Sequence, residues 1–507
     1  MKKQISRLYQ IISEKPLCLV VCFVVLIYCL IYCLIWAQRG MFYDGVTYTA
    51  VASNLYHGIG NVRNPLFFIY QPNIHGSAIF SQYFYEHPVL VFMLDSYLFD
   101  LIGNAEYVDK IILILNWFCQ FILLVLLVDK LKLKFKDLNI TKSSVILLWL
   151  TYETTRGCLT TNFCDNYLTT FVMLGVLFYL LMDSSRFLFV KTVYCALATL
   201  SILLAVLSNG PTALAFLLTI PILNFNKSKL LNSILNFVYP FVLFLVLLLM
   251  VYYLYPDIIL NFIDYLKVQL FPSLSGGERA IENSHVVMGV WSRLLWFVYR
   301  IILIDNPIFI LLTFLFISGY SKVRINYKLC VLFLTVSVPI ILFTPRSTGA
   351  LRFFEHSFFI LAIIQVAFIR DLINGAKYKI NLIIYKKWFI NLFLMLSVLL
   401  FVAIIYIVST GYTTRDKEQI YNLDAIAHIK DNDHSYICSE DSELVRNTNM
   451  QSYLIRYLAT NIVYEKKCDY SKYILTRNPY KYNNTHDYSI TVLKGNLWFI
   501  NNNDYTK

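Results

Sequence analysis

Hydrophobic and polar positions fall along this chain in long alternating blocks. Crossing a hydrocarbon layer of about 30 Å takes roughly 20 helical residues. Apolar runs near that length recur at Leu17–Trp36, Ile111–Val128, Phe163–Met182, Pro240–Leu254, Trp296–Ile317, Leu329–Phe343, Phe353–Ile369 and Trp388–Val408. Shorter or interrupted runs at Ser143–Tyr152, Val193–Leu207 and Thr212–Leu223 bring the expected total to about eleven spans. Residues 38–109, between the first two runs, are too polar to cross yet rich in Tyr and Phe. Apolar positions near helical spacing in Tyr48–Leu55 and Val89–Ile102 predict amphipathic helices lying at the interface. A second long polar connection covers residues 256–290. From about Tyr412 the pattern changes again. A helical stretch, Asp416–Lys430, precedes runs of strand character at His434–Cys438, Asn461–Glu465, Lys472–Thr476, Tyr488–Leu493 and Leu497–Asn501. A segment of about 95 residues can bury a modest core, so residues 411–507 are expected to form a small α/β domain beside a transmembrane region of residues 1–410.

Charge gives these spans a direction. Lys2, Lys3, Arg7 and Lys15 precede the first run, and Lys130, Lys132, Lys134, Lys136 and Lys142 follow the second. Arg186 and Lys191, then Lys227 and Lys229, then Lys322, Arg324 and Lys328, then Arg370, Lys377, Lys379, Lys386 and Lys387 occupy later connections. Every second connection is basic, which places those connections and the N-terminus on the cytoplasmic side. An odd number of spans leaves the C-terminal segment outside. The expected architecture is therefore an α-helical polytopic protein of the inner membrane, with an extracytoplasmic α/β tail.

Composition agrees with this. Of 507 residues 58% are hydrophobic and only 15% charged, against about 25% charged in a soluble domain. The net charge of +12 sits mostly on the basic connections, where anionic headgroups rather than nucleic acid are the partner. The first apolar run is too long for a cleaved signal peptide and no small-residue cleavage site follows it, so it reads as a retained span. Cys18, Cys22, Cys29, Cys33, Cys119, Cys195 and Cys330 lie in or beside apolar runs and read as small packing residues. Cys438 and Cys468 fall in the outward tail, where an oxidising compartment allows either a disulfide or two free thiols.

Four polar groups then fall on the outward side. They are Tyr43-Asp44-Gly45 after the first run, Tyr85-Glu86-His87-Pro88 in the same loop, Asn162-Phe163-Cys164-Asp165-Asn166 before a span, and His285 in the second loop. Each has an ordinary reading as well. Asp165 could cap a helix, Glu86-His87-Pro88 could open one, and His285 could be a surface histidine. Asp44 is harder to dismiss, because it opens an aromatic loop large enough to wall a cleft. Leu274-Ser275-Gly276-Gly277-Glu278 spells an ATPase signature, but no phosphate-cradling GxxxxGK[ST] loop accompanies it.

These residues, in this order, resemble the GT-C superfamily of membrane glycosyltransferases, in particular the aminoarabinose transferases and the protein O-mannosyltransferases. The carriers are Asp44-Gly45-Val46-Thr47-Tyr48 with Ala52 to Gly58, the Glu86-His87-Pro88 element in the place of "EKP", and Asp165 with Tyr167 to Phe171. Leu207-Ser208-Asn209-Gly210-Pro211 resembles the "LtKG" turn, and Pro345 to Glu355, with Arg352, resembles the late "R[YF]" element. The likeness runs to about residue 370.

It implies an inverting transferase that takes sugar from a polyprenyl-phosphate donor on the outer face, with Asp44 as general base towards the acceptor hydroxyl. Arg352, Arg293 or Arg279 would hold the departing phosphate, and Asp165, Asn209, Tyr48 and His87 are further donor- or acceptor-binding candidates. In the aminoarabinose transferases a metal is bound at positions corresponding to Glu86 and His285, so a divalent metal is an open possibility. Two departures stand out. Gly45 replaces a second acidic residue, and Asn209 replaces the lysine of the turn. The competing functions are a polysaccharide polymerase or ligase and a lipid-linked-glycan transporter. A polymerase would carry its long loop late in the chain, and a transporter would show pseudo-symmetric halves. The acceptor could be a glycan, a lipid or a protein.

Overall fold

The computed structural model describes residues 43–70, 83–104, 107–138, 140–152, 155, 164–224, 230–271, 291, 295, 326–343, 355–376, 436–446, 448–458, 460–468, 471–478, 488–493 and 497–502. The runs Leu17–Trp36, Trp296–Ile317 and Trp388–Val408 and the stretch Asp416–Lys430 lie outside the described residues, as do His285, Arg279, Arg293 and Arg352.

Among the described residues, helices α1 (Tyr43–Tyr56) and α2 (Leu90–Ile102) belong to the first long loop, and α3 (Val108–Lys134) follows them. The bundle continues with α4 (Lys142–Thr151), α5 (Cys164–Ser184) and α6 (Leu188–Asn209). A 3-10 helix over Pro211–Leu218 then leads into α7 (Thr219–Asn224) and α8 (Leu230–Leu254). Next come α9 (Pro256–Tyr265), α10 (Tyr327–Phe343) and α11 (Glu355–Ala376). Three of these, α3, α5 and α6, are long and apolar enough to cross a membrane. The expected run Thr212–Leu223 folds instead as the 3-10 segment and the short α7. Prolines at 211 and 221 remove backbone donors that a continuous α-helix would use.

The segment expected as the second outer loop begins as helix α9, which leaves α8 through a bend of 112°. Pro256 opens α9 at a position where the missing N–H costs nothing. Tyr252, Tyr253 and Tyr255 lie at that bend and are exposed. Among the described helices, the α5–α6 hairpin packs most extensively. At Gly175 a Cβ would lie 2.7 Å from Ile202 Cδ1, so glycine sets how closely these two helices approach.

The lysine contacts of the bundle gather at one end. There Lys134 Nζ lies 2.5 Å from Asp183 Oδ2 and donates to Asn224 Oδ1 at 2.6 Å. Lys328 donates to the Leu223 carbonyl at 3.0 Å, and Lys142 pairs with Asp129 at 2.5 Å. Asp165 opens the same helix α5 that Asp183 closes, so the two stand about 27 Å apart at a rise of 1.5 Å per residue. Basic clamps therefore occupy one end, and the acidic start of α5 the other.

The tail folds as a five-stranded sheet of order β2-β1-β3-β5-β4. Its strands are β1 (Ile437–Ser439), β2 (Ile462–Tyr464), β3 (Tyr473–Thr476), β4 (Tyr488–Leu493) and β5 (Leu497–Asn502). β1 lies parallel to both β2 and β3, while β5 runs antiparallel to β3 and β4. Between β1 and β2 the chain makes two helices, α12 (Ser442–Arg446) and α13 (Thr448–Leu458). Cys438 on β1 is disulfide-bonded to Cys468.

The tail is locked to the membrane region through α13. Arg456 is fully withdrawn from water and donates to both oxygens of Asp109, the shortest contact being 2.6 Å. Its other amine reaches Asn104 Oδ1 at 2.5 Å, Tyr457 Oη donates to Asp109 at 3.0 Å, and the guanidinium lies 4.3 Å above the Phe99 ring. Burial alone would lower the guanidinium's pKa, but the adjacent Asp109 more than offsets it and leaves the pKa raised. Removing one partner of a buried, hydrogen-bonded pair strands the other charge, at about 3–5 kcal/mol. Arg456→Met and Asp109→Asn are therefore each expected to lower the thermal midpoint markedly in detergent. The double variant Arg456→Met/Asp109→Leu should recover most of the loss. If both single variants melt with the parent protein, the pair does not hold the tail.

Candidate active site

α1 supplies the first two groups. Asp44 sits in its first turn, where the helix dipole favours an anion. Tyr48 lies four residues on, hence on the same face one turn away. That face is half-open at Asp44 and closed at Tyr48, which is 3% exposed. The chain then folds back through an aromatic packing of Phe67, Phe68, Phe84 and Phe92 against α1. Two carbonyls of the loop, Leu66 and Phe67, accept from the Asn54 amide at 3.0 and 2.8 Å. This brings Glu86 and His87 over α1, both half-buried.

Tyr48 Oη lies 2.7 Å from His87 Nε2, and His87 Nδ1 lies 3.0 Å from Asn209 Oδ1. Asn209 Nδ2 donates to Asp165 Oδ1 at 2.6 Å. Four residues that occur in four separate sequence motifs thus form one hydrogen-bonded chain across α1, the first loop, α6 and α5. Its polarity follows from chemistry. A carboxylate only accepts, so the Asn209 amide must turn its NH2 to Asp165 and its oxygen to His87. His87 therefore carries hydrogen on Nδ1, and in the neutral ring Nε2 is left to accept from the Tyr48 hydroxyl.

Gly210 makes the turn that presents Asn209. Its φ of +105° favours glycine, and an added Cβ would lie 2.7 Å from Tyr265 Oη. α9, which carries Tyr265, also clamps the loop. Asn261 Oδ1 accepts from Val89 N, and its amide donates to Arg63 O, both at 3.0 Å. Nearby, the Tyr85 hydroxyl donates to Asn64 at 2.6 Å. Its pKa is raised first by burial and then by the charge of Asp264 on α9. Neither Asn261 nor Tyr265 was legible as part of the site. Asn261 stands among apolar residues and Tyr265 follows Asp264 in a stretch that reads as a polar loop, and their place at the site follows from the 112° bend at Tyr255.

A second buried carboxylate, Asp95 on α2, accepts a short hydrogen bond from Tyr167 on α5. It ties the loop to the same helix that carries Asp165. Of the metal-ligand candidates, Glu86 stands beside His87 and His285 lies outside the described residues. No group of three potential ligands comes together among the described residues.

This arrangement, a helical bundle with its polar chain at one end, a long first loop and a compact tail, has a counterpart among solved structures. The specific likeness is to ArnT, the aminoarabinose transferase of Cupriavidus metallidurans. Its apo crystal structure matches with a TM-score of 0.52 at 12% identity, over 95% of this chain and 97% of that one. The same protein bound to undecaprenyl phosphate matches with a TM-score of 0.43 at 12% identity, over 68% of this chain and 59% of that chain. No protein-family model matches the sequence, and no curated protein does.

The geometry makes Gly210 a sensitive position. A side chain forced into a positive-φ turn costs about 1–3 kcal/mol. Gly210→Ala is expected to lower the thermal midpoint accordingly, and an unchanged midpoint would mean that Tyr265 and the turn move apart freely.

Proposed function

We propose that this protein is an inverting membrane glycosyltransferase, taking sugar from a polyprenyl-phosphate donor and giving it to an acceptor hydroxyl on the outer face. The observation that carries the reading is the continuity of Asp44 and Tyr48 on one face of α1 with the chain through His87 and Asn209 to Asp165. Asp44 is the general base. It removes the acceptor's hydroxyl proton as that oxygen bonds to the anomeric carbon, while the bond from that carbon to the donor phosphate breaks and the phosphate oxygen keeps the electron pair. A carboxylate suits this step, since positive charge develops on the sugar ring as the bonds exchange. His87 and Asn209 orient Tyr48 and Asp165 along the wall of the site. With an amide at position 209, cationic help for the phosphate comes from Arg352, Arg293 or Arg279. The fold shared with ArnT supports the class of reaction, and undecaprenyl phosphate bound to that protein supports the class of donor.

In this reading the chain has about eleven spans, its N-terminus is cytoplasmic, and residues 411–507 are an extracytoplasmic domain. The separation of the lysine clamps from Asp165 along α5 supports that sidedness. The protein then works in the inner membrane among anionic lipids, with a glycan, lipid or protein as acceptor.

The test is purified protein given a panel of polyprenyl-phosphate sugars, with Asp44→Asn beside it. Loss of a general base removes about 10²–10⁴-fold in rate, so Asp44→Asn should fall at least a hundredfold with its fold intact. Transfer by Asp44→Asn at the parent rate would overturn the assignment.

A further inference from the structure

Asp44 is held on a helix whose opposite side belongs to another part of the chain. Val46, two residues on, is completely buried and is a member of the tail domain's own hydrophobic core, with Ile437, Leu444, Tyr453, Leu454 and Phe499. In exchange Ile455 of α13 is buried within the core of the first loop, among Tyr48, Val51 and Phe92. Thr47 Oγ1 lies 2.7 Å from Ser452 Oγ in a buried contact. The Arg456–Asp109 pair closes one side of this interface, and Asn461 closes the other. Asn461 Oδ1 accepts from Tyr70 N at 2.8 Å, and its amide donates to Tyr70 O at 2.9 Å. The two residues immediately before Tyr48 are thus fixed by the tail, while Asp44 and Tyr48 face the site.

We infer that the tail domain is a working part of the active site, and that α13, through Ser452 and Ile455, sets the rotation and height of α1 that aim Asp44 at its substrate. Ser452 and Ile455 are positioning residues. They touch neither donor nor acceptor and act through the helix that bears the base. Geometry in a site of this kind is exacting, because a displacement of about 1 Å can cost on the order of a hundredfold in rate. The inference rests on the reading of Asp44 as the base.

Two variants test it in the full-length protein. A wedge, Ser452→Leu, forces α13 off α1 at one contact. A lock, Thr47→Cys with Ser452→Cys, joins the two helices covalently once oxidised. The wedge is expected to lower kcat by about tenfold or more, with the donor KM within about twofold, because the lipid-phosphate site is untouched. The oxidised lock should transfer at the parent rate. If the wedge does not accumulate as folded protein, the pair Thr47→Val/Ser452→Ala takes its place, read against the same thermal midpoint and the same kcat and KM. A folded uncoupled variant with unchanged kcat overturns the inference. So does a lock that abolishes transfer until it is reduced, since α13 would then have to leave α1 during turnover. Asp44→Asn, run alongside, separates the two failures. If it is active, the assignment of the base fails; if it is inactive while the uncoupled variant keeps full kcat, only the positioning role fails.

Discussion

A charge pair out of reach of water must be made completely or it costs more than it returns, and the Arg456–Asp109 pair is made completely. Its guanidinium spans both oxygens of the carboxylate, spends a further amine on Asn104 and rests on Phe99, while Tyr457 satisfies the carboxylate from the side. Such a pair tolerates little sliding, because any shift strands a charge. It ties α13 of the tail to the first turn of α3, and between these two lie α1, α2 and the aromatic loop. The site is built inside that bracket.

Much of the architecture could be read from the order of residues. The strands at Ile462–Tyr464, Tyr473–Thr476, Tyr488–Leu493 and Leu497–Asn502 lie where alternating β-branched and aromatic residues put them, and α3 and α5 lie along the long apolar runs Ile111–Val128 and Phe163–Met182. α13 was not legible. Its sequence, Thr448 to Leu458, carries an apolar face at Met450, Tyr453, Leu454 and Leu458 but is short and polar on average, and what buries its other side is α1, some four hundred positions earlier. One signal was present. Arg456 sits alone in the apolar run Tyr453-Leu454-Ile455-Arg456-Tyr457-Leu458, and a lone arginine in such company needs a buried partner.

The candidate site shows the same division. Asp44, His87, Asp165 and Asn209 each stood out by type and by place in the chain. Their union in one hydrogen-bonded chain did not, because it depends on a helix hairpin set by Gly175, a turn set by Gly210 and a bend at Tyr255. Asn209 illustrates the difference. In sequence it is a lysine missing from a turn. In the structure it is an amide whose two ends differ, and that difference fixes the direction of every hydrogen bond from Asp165 to Tyr48.

The bend between α8 and α9 gives the molecule a waterline. Tyr252, Tyr253 and Tyr255 project where the helix stops climbing and turns aside, and tyrosines at such a corner settle at the level of lipid headgroups. The arm that leaves the corner carries Asn261 and Tyr265, so the corner that meets the headgroups also aims the side chains that brace the loop at Arg63 and Val89 and the turn at Gly210.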